Sequence, residues 1–267
     1  MQSETICIAQ LNLCYRALGD GPDVLFLHGW ASSGRMWQST MQALAGRYRC
    51  WAVDLVGFGD SDKPSNGWYA LPNYTATLHK FIEIAGLQRP AVVGHSMGGM
   101  IALDLAATYP SLVRRLVAIN PVVTGKIGLP LPDLADRPAR LPLARLARHA
   151  WPSFVGFAAR HPVSAARSAG SLWRNSRDFA KATVDSAFGG LEAMAGYDTS
   201  PRLGQISAPT LVLVGQHDPV VPPSEGRHAA ARIPHARLEE MPTGHHLLDE
   251  RPGEFQGLLA SFLDAPD

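Results

Sequence analysis

The sequence predicts an α/β domain: a mostly parallel, doubly wound sheet with a helical segment inserted into it. Three observations carry this reading. Short, nearly continuous apolar runs recur along the chain: VLFLHG (24–29), CWAVDL (50–55), AVVGHS (91–96), LVAIN (116–120) and TLVLVG (210–215). Runs of this length suit parallel strands buried on both faces. Helical periodicity alternates with them, as it does in open sheets covered by helices on both sides. The alternation stops after Pro121 and resumes at Ile206.

The elements follow in order. Thr5–Leu11 and Leu13–Ala17 read as a hairpin ahead of the turn-forming Gly19-Asp20-Gly21-Pro22. Within Thr75–Ala85, Leu78, Phe81, Ile82 and Ala85 fall at helical spacing and give one apolar face. Met97–Thr108 is rich in Ala, Leu and Met and stops before Pro110, as a helix should. Residues 121–202 show no clear strand. They begin with Pro121, Pro130, Pro132, Pro138 and Pro142 and continue as Arg-rich, helix-like sequence. The domain reading is therefore a sheet core built from 1–120 and 203–267, with 121–202 as a helical cap. The cap holds 11 Lys and Arg against 6 acids, or +5, and the remainder holds 13 against 17, or −4.

Composition narrows the classes. The chain has 267 residues, 46% hydrophobic and 18% charged, enough to bury a core without disulfides. A net charge of +1 is far from that of a general nucleic-acid binder. Cys7, Cys14 and Cys50 form no C-x-x-C pair. The N-terminal residues lack a basic start followed by an apolar stretch, and no apolar run reaches membrane-span length. The expectation is a cytoplasmic protein with no membrane or nucleic-acid partner.

The chemistry centres on Gly94-His95-Ser96-Met97-Gly98-Gly99, a G-x-S-x-G sequence after a strand and before a helix. That context puts Ser96 on a sharp turn, where Gly94 and Gly98 let strand and helix approach. The helix N-terminus adds free N–H groups and positive potential. A serine hydroxyl needs a base within hydrogen-bond reach. His245, in the loop after the strand-like ARLEEMP, lies where the carboxyl ends of a parallel sheet gather ligands, and His246 is its rival. Asp218, just past TLVLVG, is the candidate acid that fixes the base's tautomer. An oxyanion needs two donors. The N–H of Met97 is one. The N–H of Trp30, in the loop after VLFLHG, is the other, with His28 either bracing that loop or simply buried and satisfied.

These segments resemble the α/β-hydrolase-fold serine hydrolases over nearly the whole chain. LFLHGWASSGRMW, with Gly29 in its HG pair, is similar to the family's oxyanion loop. Asp54-Leu55-Val56-Gly57-Phe58-Gly59-Asp60-Ser61 is similar to its D-x-x-G-x-G-x-S turn. GHSMGG resembles its nucleophile elbow, LVLVGQHDPVVPP its acid strand, and GHHLLDERPGEF its histidine segment. The resemblance implies an α/β-hydrolase fold, a mostly parallel doubly wound sheet with an inserted helical cap. It implies the order Ser96, Asp218, His245 and favours His245 over His246. Ser96 stands where haloalkane dehalogenases carry Asp, which excludes that chemistry. Asn120 stands where some relatives carry the acid, which leaves Asp218. The loop reads HGW, not HGGG, and Gly57-Phe58-Gly59 opens no phosphate loop.

No metal and no cofactor is expected. His217, Asp218, His245 and His246 can be drawn as ligands, but no H-E-x-x-H spacing supports them. The expected substrate is a small-molecule carboxylic ester. The basic cap would favour an anionic or carrier-protein-bound one, a likeness in charge alone to the pimeloyl-carrier-protein methyl esterases. Reversing Arg145, Arg148, Arg174 and Arg177 bears on that idea. Trp151, Phe154, Phe157, Trp173, Phe179 and Phe188 either line an acyl pocket or pack cap on core. Carbon–carbon bond hydrolysis, cofactor-free oxygenation or lyase chemistry, and non-catalytic ligand binding as a receptor are the competing readings. Chain length, alcohol group and oligomeric state are not written in the sequence.

Overall fold

The computed structural model describes residues 1–65, 67–128, 178 and 180–266. Eight strands form one sheet: β1 (Glu4–Ile8), β2 (Leu11–Leu18), β3 (Asp23–Leu27), β4 (Arg49–Val53), β5 (Ala91–His95), β6 (Arg115–Ile119), β7 (Thr210–Gly215) and β8 (Ala236–Met241). Their order is β1-β2-β4-β3-β5-β6-β7-β8. The β1–β2 and β2–β4 pairs are antiparallel and all later pairs are parallel. The helices are α1 (Gln38–Leu44), α2 (Leu71–Ile84), α3 (Met97–Thr108), α4 (Val184–Ala195), α5 (Pro223–Ala230), α6 (Leu247–Glu250) and α7 (Pro252–Asp264). None of the described helices is long and apolar enough to cross a membrane.

Alternation along β3 shows why the strands read as continuous apolar runs. Val24 and Phe26 pack with Met41 and Leu44 of α1 and with Phe255 and Leu259 of α7. Leu25 and Leu27 pack on the other face with Leu78 and Phe81 of α2 and with Met100 and Ile101 of α3. Both faces are dry, so side chains that alternate in direction must both be apolar.

Several boundaries differ from the sequence reading. The hairpin turns at Ala9-Gln10, not near Asn12, because both residues adopt left-handed φ of 49° and 69°. Such a turn normally advertises itself with Gly or Asn, and neither is present. Helix α2 starts four residues before Thr75, since Pro72 sits harmlessly in its first turn. The strands end at His95 and Ile119, before Ser96 and Asn120, whose φ values of 55° and 43° leave the β region.

The chain leaves the sheet after β6 and returns at β7, which pairs with β6 directly. The departing and returning segments meet: the Thr199 N–H and hydroxyl both donate to the Val123 carbonyl, at 2.9 and 3.1 Å. The buried Glu225 carboxylate on α5 accepts from the N–H groups of Val123 and Thr124, at 2.9 and 2.6 Å. Of the aromatic residues expected in the cap, only Phe188 lies among the described residues, half-buried on α4. Trp151, Phe154, Phe157, Trp173, Phe179 and the four arginines 145, 148, 174 and 177 lie outside them.

Candidate active site

Ser96 occupies the turn between β5 and α3 with φ 55° and ψ −116°. A non-glycine residue holds that conformation only where its surroundings over-determine it. The surroundings here are two glycine contacts. A Cβ on Gly94 would stand 2.2 Å from the Gly98 carbonyl oxygen. A Cβ on Gly98 would stand 2.4 Å from the Leu27 and 2.5 Å from the His28 carbonyl oxygens. Strand, helix and neighbouring strand therefore touch backbone to backbone beneath the serine. Met97 opens α3, so its N–H is a first-turn donor without an intrahelical acceptor.

His245 and Asp218 meet on the adjacent loops. His245 Nδ1 lies 2.6 Å from Asp218 Oδ2, and both residues are buried. The other carboxylate oxygen accepts from the N–H groups of Val220 and Val221, at 2.7 and 2.9 Å. A carboxylate so occupied is an acceptor only. It places the imidazole proton on Nδ1 and leaves the Nε2 lone pair available.

The backbone of His245 is held as firmly as its ring. Its carbonyl accepts from His95 Nε2 at 2.8 Å and from Asn120 Nδ2 at 2.9 Å. Asn120 Oδ1 in turn accepts from the Gly215 N–H at 2.7 Å. One side chain thus joins the end of the acid strand to the histidine loop. The sequence reading considered Asn120 only as a missing acid. A polar residue in left-handed conformation directly after a strand was the available signal. The ring of His95, the residue before Ser96, lies 4.7 Å from that of His245, centroid to centroid.

His246 has a different environment. Burial, then the neighbouring His245, pulls its pKa from 6.5 to about 4, and its Nδ1 has no hydrogen-bond partner among the described residues. It pairs with no carboxylate there. Burial likewise holds His28 and His95 below the ordinary histidine range. These groups stay neutral when folded and take up protons when unfolded. Between about pH 6.5 and pH 4 the unfolded chain binds more protons, so stability falls as the pH falls through that window. His246 alone should lower the unfolding free energy by about 2 kcal/mol at pH 5 relative to pH 7.5. Urea melts at the two pH values should show the loss, and His246→Gln should reduce it. Equal losses in both proteins would refute the assignment.

The loop after β3 approaches from the other side. A Cβ on Gly29 would stand 3.1 Å from His95 Nδ1 and 3.3 Å from Ser96 Cβ, a tight fit that the glycine relieves. His28 Nε2 accepts from the Leu55 N–H at 2.9 Å, and its Nδ1 donates to the Gly29 carbonyl at 2.7 Å. The buried histidine is fully satisfied and it ties the loop to the exit of β4, so the two readings of His28 coincide. Asp54 adds a second tie. Its Oδ1 accepts from the Gly34 N–H at 2.7 Å and from Arg16 at 2.8 Å.

His217 is exposed. Among the described residues, Cys14, Asp54 and Asp60 meet ligand spacing, a group the sequence did not single out. Their carboxylates are paired with Arg16, Arg35 and Lys181. Burial, then the charge of Asp54, raises the Cys14 thiol, which disfavours a metal-binding thiolate.

Comparison with known proteins agrees with this architecture. A family model described as alpha/beta hydrolase fold matches residues 22–252. A pimeloyl-[acyl-carrier protein] methyl ester esterase of Xanthomonas oryzae pv. oryzae is 34% identical, over 86% of this chain and 89% of that protein. A protein of Rhodobacter capsulatus named magnesium-chelatase 30 kDa subunit is 30% identical, over 92% of this chain and 88% of its own. Among solved structures, a bromoperoxidase from Bacillus anthracis superposes with a TM-score of 0.83 at 26% identity, covering 99% of this chain and 100% of that one.

Proposed function

The chain belongs to the α/β-hydrolase fold family, and on that premise we propose that it is a serine hydrolase cleaving a carboxylic ester through an acyl-enzyme. The observation that carries the proposal is the buried 2.6 Å pair of His245 and Asp218 on loops beside the Ser96 turn. His245 Nε2 takes the proton of Ser96 Oγ as the oxygen attacks the ester carbonyl. The tetrahedral oxyanion receives the N–H groups of Met97 and Trp30. The alcohol leaves with a proton from His245. Water then enters, gives a proton to His245 and attacks the acyl-enzyme carbonyl; the acid is released as Ser96 Oγ leaves with the proton from His245. Each step needs a charge stabilised in a water-poor site, which is what fixed backbone donors and a buried carboxylate provide.

Residues 121–202 are proposed to act as the cap that selects the substrate. The contact between Val123 and Thr199 supports an insertion whose ends return to one point. The +5 charge of that segment and the likeness to the Xanthomonas esterase favour an anionic or carrier-bound acyl ester.

The test is hydrolysis of p-nitrophenyl esters from acetate to dodecanoate by wild type and Ser96→Ala. Turnover that disappears with the hydroxyl supports the reading, and the preferred chain length sizes the pocket. Turnover indifferent to Ser96 refutes it. Saturable ligand binding without turnover would instead favour a receptor.

A further inference from the structure

The loop between β3 and α1 contains a strained residue. Ala31 has φ 54°, in the left-handed region. An L-residue other than Asn or Asp adopts it only at a cost, so something must hold the loop there. On the core side, His28 and Asp54 do so. On the other side Asp178 and Ala187, 143 to 157 residues away, and Asp60 contact the loop. The Ser33 hydroxyl donates to Asp178 Oδ2. Arg35 Nη1 donates to Asp178 Oδ1 at 2.6 Å, and Arg35 Nη2 to Asp60 at 2.6 Å. Lys181 also pairs with Asp60. The Trp30 indole N–H donates to the Ala187 carbonyl at 2.8 Å.

Ser33 is 0% and Asp178 3% exposed, which separates this pair from a surface ion pair of little consequence. A buried carboxylate bonded to a hydroxyl and a guanidinium is charge-assisted and geometrically demanding. Ser33 also caps the short 3-10 turn Gly34–Trp37, accepting from the Arg35 N–H at 3.3 Å. Asp178 therefore orients the residue that starts the turn, three positions after Trp30.

We infer that Asp178 is a positioning residue for the oxyanion loop. It clamps Ser33 and Arg35 so that the strained backbone at Ala31 persists and the Trp30 N–H stays aimed at the developing oxyanion. The inference rests on the serine-hydrolase reading. It adds that Asp178 and residues 180–190, where Gly189 packs against Tyr69 and Gly190 against Trp30 and Phe58, couple to the catalytic geometry rather than to substrate binding alone.

The experiment uses the full chain with Asp178→Ala, Asp178→Asn and Arg35→Gln. It measures kcat and KM on the preferred p-nitrophenyl ester. It also measures Ki for an alkyl trifluoromethyl ketone, which adds to the serine as a tetrahedral oxyanion, and labelling of Ser96 by a fluorophosphonate. Losing one oxyanion donor outright costs about 100- to 1,000-fold, so a misaimed donor in Asp178→Ala should cost kcat about 10- to 100-fold, with KM within about threefold. The ketone's Ki should rise by the same factor as kcat falls. Asp178→Asn keeps an acceptor for Ser33 and should recover most of the loss. If Asp178→Ala does not fold, Arg35→Gln, at a partly exposed position, should lower kcat about three- to tenfold by the same route. A folded Asp178→Ala, or failing that Arg35→Gln, with Ser96 labelled and with kcat and Ki unchanged would overturn the inference and leave the hydrolase reading intact. A wild-type protein with neither turnover nor Ser96 labelling would overturn the hydrolase reading, and the positioning role with it.

Discussion

Ser96→Ala is expected to lower turnover of the preferred ester by about a million-fold, with KM little changed. The effect is large because the three groups act as a unit. Without the hydroxyl, the His245–Asp218 pair has no proton to take, and the acyl-enzyme route closes. Alanine is otherwise a mild substitution. It keeps the Cβ at a position with φ 55°, so the turn, the close approaches at Gly94 and Gly98, and the first turn of α3 remain. A residual rate above water, supported by the backbone donors, is expected. Steady-state kinetics on matched protein preparations measures the loss. A drop under about tenfold would show that another group is the nucleophile.

Asp218→Asn is expected to lower kcat by about ten-thousand-fold while leaving the fold intact. The structure shows why an isosteric change should be so damaging. The N–H groups of Val220 and Val221 both point at Oδ1, at 2.7 and 2.9 Å. In the amide variant they retain the carbonyl oxygen, because an NH2 group there would face two donors. The amide nitrogen is then left facing His245 Nδ1, where the carboxylate oxygen now accepts at 2.6 Å. A donor at that place turns Nδ1 into an acceptor and moves the imidazole proton to Nε2. No lone pair is left for the Ser96 proton. The variant should melt close to wild type, since every hydrogen bond is kept and only the one to His245 changes direction. Calorimetry and kcat measured together check this. A kcat within about tenfold of wild type would remove Asp218 from the catalytic set.

Much of the site was legible because its signals are local. A strand, G-x-S-x-G and a helix occupy some twenty consecutive residues, and the turn they form at Ser96 follows from their spacing. His246 could be set aside from sequence only by resemblance. The structure adds a physical contrast, a ring buried beside His245 that pairs with no carboxylate among the described residues. Asn120 was legible as an absence of acid but not as a donor to His245. Its partners Gly215 and His245 lie 95 and 125 residues away. Glu225 carries no local signal of its burial under two backbone N–H groups from residues about 100 positions away.

Sequence alone carries the alternation of apolar strands with helices, the break in it after Pro121, and the strand–turn–helix at Ser96. Each depends on interactions within one element or between adjacent ones, where apolar period and glycine placement act directly. What ties those parts to one another emerges only from the packed fold. The Asp218–His245 pair, the Asn120 and His95 donors to the histidine loop, and the Asp178 clamp on Ser33 and Arg35 all join residues far apart in sequence. Such bonds leave no periodic trace, because a polar side chain reveals its partner only once the sheet has brought two distant loops together and excluded the water between them.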